Sequence, residues 1–133
     1  MSQENADVAA EVVEAVAQQD VERLIELTDP EVEWHSVFAA LGQGGVYRGH
    51  DGLRHYTSDL GDVWESMRLN IDQVLSIGAV VLMVGRLHYH GRGSGVETEA
   101  PLGIVAKFRQ GRIVYMRAFQ EPEQAFLSVG LAE

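Results

Sequence analysis

The chain has 133 residues, 46% hydrophobic, 8% aromatic and 23% charged, which supplies one buried core and too little chain for a second, so one domain over residues 1–133 is expected. Twenty acidic residues against ten basic ones give a net charge of −10, which excludes a protein built to neutralise nucleic-acid phosphates and makes an anionic membrane a poor partner. The absence of cysteine excludes disulfides, iron–sulfur clusters and thiol nucleophiles.

Residues 1–7 are polar and acidic rather than basic and then apolar, and the longest uncharged apolar stretch, Val74 to Gly85, is interrupted by Ser76 and two glycines. Neither reads as a leader or a membrane span, so a cytoplasmic protein is the expectation.

Val8, Val12, Val13 and Val16 recur at helical spacing behind Asn5, predicting an amphipathic helix over Ala6 to Gln18. Asp20 is placed to cap a second helix carrying Val21, Leu24 and Ile25, and Thr28-Asp29-Pro30 is expected to stop it. Val32, Trp34 and Phe38 then alternate with Glu31, Glu33 and His35 in the period of a half-buried strand, followed by a glycine-rich loop over Ala39 to Val46. From Asp51, the residues Leu53, Tyr56, Leu60, Val63, Trp64 and Met67 form a helical stripe, with His50 and Asp51 expected to cap it. Strands are predicted over Arg68–Ile77, Ala79–His90, Val96–Arg109 and Ile113–Phe119, joined by turns at Gly78, Gly91 to Gly95 and Gln110-Gly111. Such short turns imply an antiparallel meander. Pro122 opens a last short helix carrying Ala125, Phe126 and Val129, closed by Gly130. The fold class is therefore α+β: a curved antiparallel sheet covered on one face by three helices, with a short C-terminal helix and a conical cavity between the layers.

Several segments, in order and spacing, carry a resemblance. They are Asp29-Pro30-Glu31-Val32-Glu33-Trp34, then Tyr47-Arg48-Gly49-His50-Asp51-Gly52-Leu53, then Phe108-Arg109-Gln110-Gly111-Arg112-Ile113-Val114, then Phe119-Gln120-Glu121-Pro122-Glu123-Gln124-Ala125-Phe126 and Gly130-Leu131. Over essentially the whole chain the sequence resembles SnoaL-like members of the nuclear transport factor 2-like superfamily, whose cone-shaped fold includes ketosteroid isomerase. The resemblance implies a homodimer and leaves activity open, since such proteins include isomerases, cyclases and epoxide hydrolases.

Ketosteroid isomerases need an Asp base and an oxyanion hole of Tyr and protonated Asp. Laid on that pattern, this chain has Trp34, Val12 and Ile104 at the three positions. None can take or give the required proton, so steroid-type isomerisation is rejected. The same overlay implies a cavity lined by Trp34, Ser36, Tyr56, Leu60, Met83, Leu87, Tyr89, Leu102, Ile104, Met116 and Gln120, suited to an apolar cyclic ligand; the same residues filling the core is the alternative. Glu97 and Glu99 share a strand face, which points outward unless a bulge near Pro101 reverses it. His88 and His90 project together from one strand but lack a third ligand at suitable spacing, so no metal or cofactor is expected. With Arg86 they instead face Glu97 and Glu99, while Tyr115, Arg117 and Phe119 follow on the last strand, a composition suited to a homodimer through the outer sheet face. Arg48 is a candidate for the cavity mouth. The function expected is binding of a small apolar molecule, extending to cofactor-independent catalysis of isomerase, cyclase or hydrolase type. The alternative is a non-catalytic dimerisation or ligand-sensing module.

Overall fold

The computed structural model describes residues 2–37, 45–91, 93 and 95–130. The expectations placed on Phe38, on 39–44 of the glycine-rich loop, on Arg92 and Ser94 of the hairpin, and on Leu131 lie outside the described residues.

Helix α1 (Ser2–Gln18) begins before Asn5, so Asn5 is within it rather than its cap. It ends in a reversal in which Asp20 N–H bonds Ala15 O at 2.9 Å and Gln19 N–H bonds Val16 O at 3.1 Å. This is a Schellman arrangement with Gln19, at φ 56°, where glycine is usual. Asp20 caps α2 (Val21–Leu27) as expected, its carboxylate accepting from Arg23 N–H.

Strand β1 (Thr28–His35) starts where the sequence suggested only a helix stop. Its register against β6 is interrupted between Thr28 and Glu33, and Pro30 sits inside that irregularity, where its missing N–H breaks no ladder bond. Strand β2 (Val46–Arg48) pairs with β1 and was not anticipated. Helix α3 (Gly49–Val63) has Arg48 at its N-cap with no side-chain cap bond. The capping expected of His50 and Asp51 is absent. The His50 ring reaches Thr28 O at 3.1 Å and ties α3 to β1, while Asp51 pairs with Arg54 at 2.9 Å.

The helical stripe ends at Val63, because Trp64 and Met67 belong to strand β3 (Trp64–Ile77). A bulge between Trp64 and Ser66 inserts one extra residue, which puts Trp64 and Met67 on one strand face although they are three apart. Strands β4 (Val80–Gly91), β5 (Glu97–Arg109) and β6 (Arg112–Phe119) complete the meander. The β5–β6 turn has Gln110 and Gly111 both at positive φ, as a type I′ hairpin requires. The sheet order is β2-β1-β6-β5-β4-β3, antiparallel throughout except for the parallel β1–β6 pair. Further register shifts after Ile71 and Lys107 bend it.

The main core lies between the inner sheet face and α1, α2 and α3, with Leu24, Val32, Trp34 and Leu53 fully buried. Helix α4 (Pro122–Ser128) does not join that layer. It covers the outer face, where Leu82, Val105 and Ala125 form a second cluster with Phe119 and Phe126. The close approach needs Gly103, since a Cβ there would lie 2.8 Å from Ala125 Cβ. Helices thus pack on both faces rather than one.

Candidate functional site

A cavity lies between α1 and the inner sheet face. Helix α1 contributes Ala9, Val12, Val13, Val16 and Ala17, and α3 contributes Tyr56. The chain just after β1 contributes Ser36 and Val37; β3 adds Met67 and Leu69, and β4 adds Met83 and Leu87. Leu102, Ile104 and Ala106 of β5 and Ile113, Met116 and Ala118 of β6 close it. The volume is about 60 Å³ measured at the centres of water-sized spheres, several times the ~10–15 Å³ that one water occupies on that measure. Every methionine after Met1 is in this wall. Unbranched thioethers change shape at little cost, so the wall can reshape around an occupant.

Seven of the eleven side chains anticipated for the cavity line it: Ser36, Tyr56, Met83, Leu87, Leu102, Ile104 and Met116. Trp34 is instead fully buried behind the cavity, with its ring 5.3 Å from that of Tyr56. Leu60 lies one turn beyond Tyr56 in the packed core, at 1% exposure. Tyr89 stacks edge-on against Trp64, centroids 4.5 Å apart, and borders an outer groove with His88, His90, Glu97 and Glu99. Gln120 misses because β6 ends at Phe119, so the strand alternation that carries Met116 and Ala118 inward stops before it. What the overlay omitted is the α1 wall and, outside it, Val37, Met67, Leu69, Ala106, Ile113 and Ala118. The valine stripe of α1 was visible in the sequence, but periodicity alone does not separate a cavity wall from packed core.

Among the described lining residues none is Asp, Glu, His, Lys or Arg. The titratable group present is Tyr56, whose burial pushes it up to about 12, opposed in smaller measure by the nearby Trp34 N–H. That N–H is buried without a hydrogen bond of normal geometry. Tyr56 is therefore a neutral hydroxyl at physiological pH, able to donate to a ligand oxygen and unable to serve as a base. Beside it, Tyr47 stacks on Tyr56 at 5.3 Å and donates to Asp59 Oδ2 at 2.7 Å. Burial, then the Asp59 partner, raises the Tyr47 phenol well above its usual range. Asp59 is half-buried and held by that bond.

The other candidates fall outside the cavity. The β4–β5 register is unbroken from Glu97 to Lys107, so no bulge near Pro101 turns Glu97 and Glu99 inward. Glu99 bonds Arg86 at 3.1 Å and His88 at 3.0 Å across the strands, while His90 approaches Glu65 at 3.4 Å. Among the described residues no three His, Asp or Glu side chains are grouped to hold a metal ion. Arg48 is exposed and paired with Glu33 at 3.0 Å, away from the cavity.

A family model described as a SnoaL-like domain matches residues 9–116. The chain belongs to that family. No curated protein matches it. Among solved structures, the SnoaL-like chain is similar to an NTF2-like protein of unknown function from Burkholderia pseudomallei, at 20% identity and TM-score 0.80, with 96% of this chain and 98% of that one covered. It is similar to TerC co-crystallised with polyporic acid, at 20% identity and TM-score 0.78, covering 94% and 96%. It is also similar to a proposed SnoaL-like polyketide cyclase from Jannaschia sp., at 17% identity and TM-score 0.75, covering 96% and 90%. At these identities the likeness establishes the fold. No helix among the described residues is long and apolar enough to cross a membrane.

Proposed function

We propose that this SnoaL-like protein binds a small, largely apolar cyclic molecule between α1 and the inner sheet face. The observation that carries the reading is the wall itself, apolar and methionine-rich, with Ser36 and Tyr56 as its polar side chains. Ring insertion would remove apolar surface from water, and the Tyr56 hydroxyl would orient an oxygen-bearing ring by donating to it. Similar folds include TerC, crystallised with polyporic acid, and proposed polyketide cyclases, which supports a cyclic ligand. Because the described wall holds no base, catalysis here would act by positioning and hydrogen-bond donation rather than by proton abstraction. The proposed location is the cytoplasm.

The test is a titration with toluene followed by tryptophan fluorescence, since Trp34 lies against Tyr56 of the wall. Saturable binding to the natural protein and its loss in Val16→Phe, with cooperative unfolding retained, is the expected result. A natural protein that takes no toluene, or a Val16→Phe variant that takes it equally well, overturns the reading.

The proposal includes a homodimer through the outer sheet face. Support comes from the parts of that face that α4 leaves uncovered: Lys107 stands over the Tyr115 ring at 4.8 Å near one end of β5, and Glu99 bonds Arg86 and His88 toward its other end. Light scattering that gives a strict monomer at micromolar concentration removes this part alone.

A further inference from the structure

Trp34 is fully buried on β1, between Tyr47 of β2 and Met116 of β6 in the sheet register. Its Nε1–H has no acceptor of normal hydrogen-bond geometry among the described residues. A buried donor in that condition is costly, and phenylalanine would keep an aromatic ring there without the penalty. The indole N–H therefore calls for a use.

The indole lies against Tyr56, with ring centroids 5.3 Å apart and planes tilted by 53°. Its N–H is near enough to the phenol oxygen to oppose the rise that burial gives the Tyr56 pKa. Tyr47 also packs on Tyr56, edge-on at 5.3 Å, but its own proton goes to Asp59 Oδ2 at 2.7 Å. No described residue accepts the Tyr56 proton, and Tyr56 lines the cavity. An indole N–H can only donate, whereas a phenol hydroxyl donates once and accepts well in one direction, in the ring plane opposite its hydrogen, because the other lone pair is delocalised into the ring.

We propose that Trp34 is a positioning residue of this site: its N–H faces the acceptor side of the Tyr56 hydroxyl and leaves only the hydroxyl hydrogen to meet a ligand. The ligand class narrows accordingly. A ring whose polar group is an acceptor, such as a cyclic ketone, is matched, and a ring whose polar group only donates is refused. The inference rests on the cavity reading above and adds the hydrogen-bond polarity of the ligand. The two donors also act in series, since a hydroxyl that accepts a bond donates a stronger one.

The test compares three five-membered rings by calorimetry: thiophene, which is apolar, cyclopentanone, which accepts, and pyrrole, which donates from its nitrogen. Exchanging the Trp34 indole for benzothiophene keeps the shape and puts sulfur in place of N–H. Pyrrole then binds about fivefold more tightly, the scale of one net hydrogen bond, cyclopentanone binds slightly less tightly, and thiophene is unchanged. Trp34→Phe lowers the cyclopentanone-to-pyrrole ratio in the same direction, on top of a shift from the smaller ring that all three probes share. In a Tyr56→Phe background the benzothiophene exchange leaves the ratio where it was, because Trp34 acts through that hydroxyl. A ratio that the exchange does not lower, or that falls equally in the Tyr56→Phe background, overturns the inference while thiophene binding leaves the cavity reading intact. Failure of thiophene to bind overturns both.

Discussion

Gly85 is the position at which one methyl group should cost most. It lies in β4 between Met83 and Leu87, both cavity residues, and pairs with Ile71 where β3 bulges. A Cβ built there falls 2.1 Å from Asn70 O, 2.9 Å from Asn70 C and 3.0 Å from Ile71 Cα. All three are backbone atoms, so no rotamer change relieves them. Since a close carbon–oxygen contact is about 3.3–3.6 Å, β3 must retreat by about 1 Å and surrender ladder bonds at the bulge. Removing the flexible glycine returns at most about 1 kcal/mol, against overpacking at the upper end of its usual ~1–3 kcal/mol plus one or two lost hydrogen bonds at about 1 kcal/mol each. The net expectation for Gly85→Ala is a loss of about 3 kcal/mol, or a melting point lower by about 10–15 °C. Gly78→Ala is the control: its φ is +59° and nothing lies within 4 Å, so only the left-handed backbone is penalised, at about 1 kcal/mol. Urea unfolding followed by tryptophan fluorescence measures both. If Gly85→Ala costs no more than Gly78→Ala, the bulge is not a fixed part of the cavity wall and the reasoning fails.

Tyr56→Phe should weaken cyclohexanone about tenfold, the scale of one hydrogen bond in a dry site, and leave toluene unchanged; equal losses for both would mean the hydroxyl only supports packing. Because the Tyr56 pKa is raised to about 12 in the fold against about 10 in the unfolded chain, its contribution is fully present below pH 10 and lost between pH 10 and 12, and alkaline melting curves of Tyr56→Phe should fall less steeply there. Asp29 shows the opposite sign: the Glu31 N–H and then Arg109 lower its pKa, so its contribution holds above about pH 4 and disappears as pH falls, and Asp29→Asn should flatten acid unfolding. Gly103→Val should detach α4, given the 2.8 Å approach of Ala125 Cβ and 3.0 Å of Pro122 Cα, and expose Leu82 and Val105 to a hydrophobic dye while toluene still binds on the other face.

How much of this was legible depends on whether a local pattern survives bulges and layers. The β4, β5 and β6 strands stood out because alternation and glycine turns agree over long runs, and the observed strand ends differ from the expected ones by no more than a residue. The α3 end was hidden because a bulge gives Trp64 and Met67 a helix-like spacing on a strand. Strand β2 offered three residues, too few for any period to register. A clue to the outer position of α4 was present: Val80 and Leu82 are apolar as well as Val81 and Met83, and Val105 as well as Ile104. Strands apolar on both faces imply a second covering layer, and α4 is that layer. In the site, the overlay reached Met83, Leu87, Leu102, Ile104 and Met116 of the sheet wall, whereas Trp34, Leu60, Tyr89 and Gln120 depended on depth, stacking and where a strand stops, none of which a period encodes.

The distribution of charge bears on what the cavity can be asked to do. Twenty acidic residues make this an acidic chain, yet none of those described lines the cavity, and Asp29, Glu31, Glu33, Glu65 and Glu99 are committed to arginine or histidine partners at the surface. A carboxylate at a wall position such as Ile104 or Val12 would be easily supplied by substitution, but without a partner it would be desolvated there and shifted toward its neutral form. In the proposed function, an aliphatic at both places keeps the wall apolar and tolerant of rings, and leaves Tyr56 to orient what enters. On the proposed reading, chemistry in such a site must be carried by the reactivity of the bound molecule itself. A base added on β5 therefore tests function directly: Ile104→Asp should lower toluene affinity, and the carboxyl group it introduces should titrate above the ordinary carboxylate range. Unchanged toluene binding in that variant would show that the ring does not reach the β5 wall.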